Sequence, residues 1–126
     1  MPAAKANRLR ADTQKWIAAD YSAEKTGTLT GLLGHADQRV RLKAQFELAK
    51  RDALAEFTAV AAEVTAPQLA RIHAIWGIGQ LIRREAAKDE ALTALFNDPD
   101  PEVRAQAIKT VTVRYGRLLG LDRIPA

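Results

Sequence analysis

Three segments of the sequence share one pattern, in which an arginine is followed three residues later by an alanine. The arginines are Arg41, Arg71 and Arg104, so successive copies lie 30 and 33 residues apart. The alanines are Ala44, Ala74 and Ala107. Repeats of this length are typical of stacked helix pairs, because one pair cannot bury its own apolar face and needs a neighbour to cover it. The repeat therefore predicts an all-α solenoid and disfavours an enzyme built around a deep pocket.

Apolar residues at helical spacing, separated by capping and turn residues, predict six to seven helices with short connections. The expected ranges are 7–19, 22–33, 37–50, 52–64, 67–86, 91–96 and 100–115. Ser22, Asp37, Asp52 and Asp100 are the expected N-caps, and no alternating strand pattern is present. We treat 1–126 as a single domain with units at about 22–51, 52–86 and 88–115. The remaining 116–126 is expected to be an incomplete further unit or a frayed end.

Aligning the copies on their arginines brings three further sets of residues into register. These sets are Val40, Ala70 and Val103; Ala44, Ala74 and Ala107; and Leu48, Ile78 and Val111. We expect all nine to be buried between units, since a small alanine lets helices approach and the larger apolar residues fill the layer. Gly77 and Gly79 fall inside the expected fifth helix, where we predict that a neighbouring backbone comes close.

The strings that carry this register resemble a known repeat family. Residues 100–107, DPEVRAQA, look like the start of the second helix in HEAT-like repeats, and residues 37–44, DQRVRLKA, match almost as well. Residues 67–74, PQLARIHA, depart from the pattern, because the aspartate is lost and alanine replaces the valine. The resemblance covers about residues 28–113 and implies an α-solenoid of about three HEAT-like helix pairs plus an N-terminal helix. It also implies an Asp–Arg ladder between units and hence a structural role for Arg41, Arg71 and Arg104.

A second, looser resemblance concerns residues 44–49, AQFELA, and residues 73–80, HAIWGIGQ. These strings are similar to the HEAT segment of large bacterial dehydrogenase-like proteins, which carry a β-propeller before the repeats and a c-type haem domain after them. Neither flanking domain is present in the 126 residues. The likeness implies that the chain is a spacer or docking segment of a larger multidomain protein.

Composition narrows the classes of function. The formal charge of +4 is mildly basic and favours acidic partners. The absence of cysteine excludes disulfides, thiolate metal sites and covalent c-type haem attachment. We expect no membrane span and see no signal peptide, so the compartment is cytoplasmic if the chain is full length and otherwise unknown. Basic residues near both ends are expected either to keep the array soluble or to form a phosphate-binding edge: Lys5, Arg8, Arg10, Lys15, Arg114, Arg117 and Arg123.

One candidate contact surface follows from the register. If the nine aligned positions face inward, the outward stripes are residues 39, 43, 46 and 50, then 69, 73, 76 and 80, then 102, 106, 109 and 113. Phe46 and Trp76 would lie side by side, ringed by Lys43, His73 and Lys109. Aromatic anchors within a basic rim suit a protein or an anionic partner. The alternative is that both rings simply pack between helices.

Catalysis is not expected. His35 and His73 are each followed by alanine, whereas the HEAT-like di-iron hydroxylases carry paired His-Glu motifs. Two histidines in different units do not form a metal site, and no cofactor motif is present. Trp16 and Trp76 leave a likeness to HEAT-like DNA glycosylases open. We therefore predict a non-catalytic scaffold or protein-binding module with no cofactor, and nucleic-acid binding across the same basic surface as the alternative.

Overall fold

Helices account for nearly all the regular structure of the chain. A computed structural model describes the backbone of residues 2–118 and the side chains of residues 3–113, and within this part there is no strand. The helices are α1 (Pro2–Ala18), α2 (Thr26–Leu32), α3 (Gln38–Lys50), α4 (Leu54–Ala62), α5 (Gln68–Arg83), α6 (Glu90–Thr93) and α7 (Pro101–Leu118). Short 3₁₀ turns cover Tyr21–Ala23 and Ala94–Asn97. The all-α prediction is confirmed, and the end of the predicted tail, 119–126, lies outside the described residues.

Two of the predicted N-caps hold their helices as expected. The carboxylate of Asp37 accepts a hydrogen bond from the Arg39 backbone N–H at 2.8 Å, and α3 begins directly after it. Asp100 accepts from the Glu102 N–H at 2.8 Å, and proline stands at the first position of α7. Both caps belong to the second helix of a unit, so the repeat motif fixes where those helices begin.

The other two predicted caps are wrong. Asp20, and not Ser22, caps the first 3₁₀ turn, and α2 begins only at Thr26 without a side-chain cap. Asp52 has a φ of 54°, and its neighbour Ala53 occupies the N-cap position of α4. The left-handed backbone of Asp52 instead ends α3, because the next N–H groups fold back onto the last carbonyls of that helix. A residue that ends one helix in this way is not free to cap the next.

Helix α5 also ends earlier than the sequence predicted, at Arg83 rather than near residue 86. Glu85 has a φ of 61°, and the N–H of Ala86 donates to the Leu81 carbonyl at 2.7 Å. This is the same left-handed termination that follows α3, made again without a glycine. Helix α4 likewise ends at Ala62 and not at Val64.

The second helices of the three pairs form one shared layer. Helix α5 lies between α3 and α7 and contacts both, while α2, α4 and α6 pack against their own second helices. All nine residues that the register placed inward are buried, with Val40, Ala74 and Val103 at 0% exposure. The stacking of helix pairs is therefore the source of the core, as predicted.

Both glycines of α5 admit a close neighbour, but the neighbour is a side chain and not the expected backbone. A Cβ atom at Gly77 would overlap the buried Phe57 ring of α4. A Cβ atom at Gly79 would lie 2.7 Å from Cγ2 of Thr110 on α7. Glycine at these two positions lets α4 and α7 pack closely on α5 from different sides.

Helix α1 is attached to the first pair by polar and apolar contacts. Lys43 Nζ donates to the Ile17 carbonyl at 2.9 Å, and His35 lies 2.6 Å from the Asp12 carboxylate. Trp16 packs partly buried against the core. None of the described helices is long and apolar enough to cross a bilayer.

Candidate functional site

The arginines of the repeat are structural, and Arg71 forms an Asp–Arg pair between units, although its partner is Asp98 and not Asp100 of the repeat motif. Arg71 is 2% exposed and pairs with the buried carboxylate of Asp98 in the following unit. Its guanidinium also donates to the Ala61 carbonyl at 2.8 and 3.0 Å. The bond from Arg71 lowers the pKa of Asp98 and keeps the carboxylate charged. This buried pair joins the last two units.

The ladder is absent between the first two units. The repeat position of Asp98 is occupied one unit earlier by Thr65, whose hydroxyl donates to Glu63 at 2.7 Å. Arg41 therefore has no carboxylate at that position. Its Nε donates to Nε2 of His73 at 3.1 Å, and its Nη1 donates to the His35 carbonyl at 2.7 Å. Arg41 is thus connected to α5 through a histidine.

His73 is not the rim residue that the sequence predicted. Its side chain is 1% exposed, because it lies between Arg41 and Gln45 of α3. Burial, followed by the charge of Arg41, lowers the pKa of His73 to about 4. The imidazole is therefore neutral at physiological pH and serves the packing of α5 on α3. The helical stripe predicted an outward position, but the side chain lies inward because it forms hydrogen bonds with Arg41 and Gln45 on the neighbouring helix.

A groove of about 430 Å³ runs over the second-helix layer beside His73. Its apolar part consists of Phe46, Trp76 and Val113, and its basic residues are Arg83 and Lys109. Phe46 is 53% exposed and Val113 is 44% exposed. These exposures show that the alternative of simple packing between helices is wrong for Phe46. The remaining lining residues are Gln45, Gln80, Gln106 and Thr110.

Trp76 forms the floor between these groups. Its ring meets that of His73 edge to face, with ring centres 4.9 Å apart. Its Nε1 donates to Oε1 of Gln106 on α7 at 3.0 Å. The indole is therefore held by His73 of its own helix and by Gln106 of the following unit, and it offers its remaining surface to the groove.

Lys43 lies outside this groove. It borders a second hollow of about 270 Å³ together with Tyr21 and Lys50, on the other side of Phe46. Its ammonium lies 4.7 Å from the centre of the Tyr21 ring and donates to the Ile17 carbonyl. The structure therefore brings together three of the five predicted contact residues, Phe46, Trp76 and Lys109, and separates Lys43 and His73 from them.

Sequence reasoning missed several members of the groove. Gln80, Gln106 and Val113 stood on the predicted outward stripes but were given no role. Arg83 follows Trp76 by two helical turns and so shares its face of α5, and this spacing could have revealed it. Gln45 had no such signal, because it lies one position before Phe46 on a mostly buried face.

The charge of the groove has one sign. No acidic residue occurs among the described side chains that line it. Arg83 and Lys109 make no ion pair or hydrogen bond with any residue whose side chain the structure describes. The basic residues of α1, which are Lys5, Arg8, Arg10 and Lys15, are exposed elsewhere, and Arg114, Arg117 and Arg123 lie outside the described side chains. Among the residues that the structure describes, no cluster of three potential metal ligands occurs.

The stack of helix pairs with α3, α5 and α7 as its common layer defines the chain as a solenoid of helical repeats. The family model of the HEAT repeat matches residues 90–113, which span α6, the 3₁₀ turn after it and much of α7. Residues 90–113 therefore match a HEAT repeat, as the motif at residues 100–107 had indicated, and the all-helical stack of the described residues is consistent with a HEAT-like solenoid. No curated protein and no solved structure matches it significantly.

Proposed function

We propose that the chain is a non-catalytic scaffold that binds a protein partner in the groove on its second-helix layer. HEAT repeats are helical interaction modules, and an extended surface of stacked helices is what such modules use for binding. The observation that carries the proposal is the exposure of Phe46, at 53%, beside Trp76 and Val113 in one groove. Exposed apolar side chains clustered beside an aromatic ring are typical of contact anchors.

A partner protein or a neighbouring domain of a larger chain would serve equally as the occupant. Either would cover Phe46 and Val113 and leave the polar rim at the edge of the contact. Lys43 contributes, in this proposal, only at the margin, since it lies in the adjacent hollow. His73 contributes indirectly, by holding Trp76 and Gln45 in place from beneath.

Nucleic-acid binding is the second candidate, and the basic lining of Arg83 and Lys109 favours it. The two candidates differ in their response to salt. Binding through phosphates weakens by orders of magnitude between about 0.05 and about 0.2 M salt when many cations take part. A contact anchored by Phe46 and Trp76 loses far less over the same range.

The test compares two truncations of exposed apolar residues. Phe46→Ala removes a groove residue, and Val64→Ala removes a side chain of similar exposure, 57%, that does not line the groove. Immobilised wild type and both variants are incubated with cell extract, and proteins retained at moderate salt are quantified and then retested in purified form. We expect a partner that Phe46→Ala loses and Val64→Ala keeps. Equal retention by all three proteins would refute the groove as the binding site.

A further inference from the structure

The hydrogen bonds beneath the groove run in one direction, which follows from the chemistry of Arg41. A guanidinium only donates, so Nε2 of His73 must accept the bond from Arg41. A neutral imidazole that accepts at Nε2 carries its proton on Nδ1, which donates to Oε1 of Gln45 at 2.8 Å. The low pKa of His73, about 4, agrees with this neutral form.

The same donor-to-acceptor direction continues from Gln45 to Gln80 at the groove surface. Because Oε1 of Gln45 accepts, its Nε2 is the donor of the next bond, to Oε1 of Gln80 at 2.6 Å. The Nε2 group of Gln80 then remains at the groove, and it donates to no residue that the structure describes. The orientation of both amides is fixed by the arginine at the start of the series, so Gln80 presents donors to the groove.

Some polar groups of the groove are already paired. The Gln106 amide accepts from Trp76 and donates to Glu102 at 2.9 Å, and the Thr110 hydroxyl donates to the Gln106 carbonyl at 2.8 Å. The Nε2 group of Gln80 has no such partner among the described residues. Arg83 and Lys109 add cationic donors that lack partners among the described residues. A groove with free donors, positive charge and no acidic side chain among its described lining residues is complementary to an anion that only accepts.

We propose, building on the protein-binding function above, that the groove selects an acidic peptide segment in which an aspartate or glutamate stands beside apolar residues. The carboxylate lies among Gln80, Arg83 and Lys109, and the apolar side chains cover Phe46, Trp76 and Val113. Among the nine described lining residues three are apolar and two are cations, a composition that favours a peptide over the repeated phosphates of a nucleic acid. A volume of about 430 Å³ accommodates a few side chains of such a segment.

A displayed library of random heptapeptides, screened against purified wild type, tests the selection. The test variant is Arg83→Gln/Lys109→Gln, and the control is Lys25→Gln/Lys88→Gln, which removes the same charge at exposed positions outside the groove. We expect wild type and control to enrich the same acidic and apolar peptides. The test variant should bind the best of them at least about tenfold more weakly, as expected for the loss of charge-assisted hydrogen bonds.

Gln80→Glu supplies an isosteric second variant. The new carboxylate still accepts from Gln45, but it replaces the free donors by negative charge. We expect this variant to fold, as judged by circular dichroism, and to bind the acidic peptides at least about tenfold more weakly than wild type. Unchanged affinity in both this variant and the double variant would overturn the proposal.

Other outcomes separate this inference from the proposed function. Peptides that bind in a manner dependent on Phe46 but without enrichment of Asp or Glu would refute the acidic selection and leave protein binding intact. Failure to enrich any peptide dependent on Phe46 would count against both. Tight binding of a fluorescein-labelled oligothymidylate that requires Arg83 and Lys109 and weakens steeply with salt would replace the peptide by a nucleic acid.

Discussion

The burial of His73 predicts a dependence of stability on pH that a single substitution should remove. The imidazole is 1% exposed, and protonation would break its bond from Arg41 and place two cations about 3.1 Å apart. Its pKa is therefore about 4 in the folded protein, whereas the ordinary value of 6.5 applies to the unfolded chain. As the pH falls below 6.5, His73 becomes protonated in the unfolded chain but stays neutral in the folded protein, so the free energy of unfolding decreases until about pH 4. The loss amounts to about 3 kcal/mol at pH 4, out of roughly 5–15 kcal/mol for a typical domain.

Urea unfolding followed by circular dichroism, at a series of pH values from about 7 to about 4, measures this loss. The control is His73→Gln, whose amide can accept from Arg41 and donate to Gln45 but does not titrate. We expect wild type to lose about 3 kcal/mol more than the variant between pH 6.5 and pH 4. Asp98 and Asp100, whose pKa values are lowered, contribute to both proteins and mainly below that window. Parallel curves for the two proteins would show that His73 titrates normally and that its buried bonding is wrong.

Three further tests concern the packing of α5, the buried ion pair and the end of α5. Gly77→Ala should destabilise the protein by about 1–3 kcal/mol in thermal melts, because the new methyl overlaps Phe57. The control Gly31→Ala, which has open space around the new methyl, should stabilise the protein by up to about 1 kcal/mol. Arg71→Met should cost about 3–5 kcal/mol in urea unfolding by leaving the Asp98 carboxylate buried without its partner, and an unaltered midpoint would contradict the ladder. Glu85→Gly should stabilise by about 1 kcal/mol by relieving a positive φ, and Glu85→Ala, which keeps that strain, should not.

The sequence predicted the layer of second helices because one pattern repeats three times. Each copy places its inward residues at the same spacing from the arginine, so one correct register predicted the burial of all nine. The caps Asp37 and Asp100 followed from the same pattern. Local signals outside the repeat were weaker: Asp52 resembles a cap, yet it ends the preceding helix in a left-handed conformation. Such an ending is often marked by glycine. Because no glycine marks the left-handed residue after α5, the end of that helix was predicted near residue 86 and not at Arg83.

The groove was predictable only in part, because its members depend on contacts between units. The outward stripes correctly indicated that Phe46 and Lys109 are accessible. Helical spacing alone cannot show that a polar side chain is drawn inward by a partner on the neighbouring helix, as His73 is by Gln45 and Arg41. It also cannot show that Lys43 turns toward α1. Both errors concern polar side chains with long or specific reach, whose positions are set by partners and not by hydrophobic period.

The lack of an aspartate at position 65, in the unit that follows Arg41, is what connects the core to the groove. Where Arg71 meets a carboxylate in the next unit, Arg41 meets none, since Thr65 stands in the place of Asp98. An aspartate there would hold Arg41 in a closed ion pair within the core, like that of Arg71. Without it, Arg41 donates to His73, His73 donates to Gln45, and Gln45 donates to Gln80 at the surface. The residue at position 65 thus sets which hydrogen-bonding groups the groove offers, through the bonds of Arg41, His73 and Gln45.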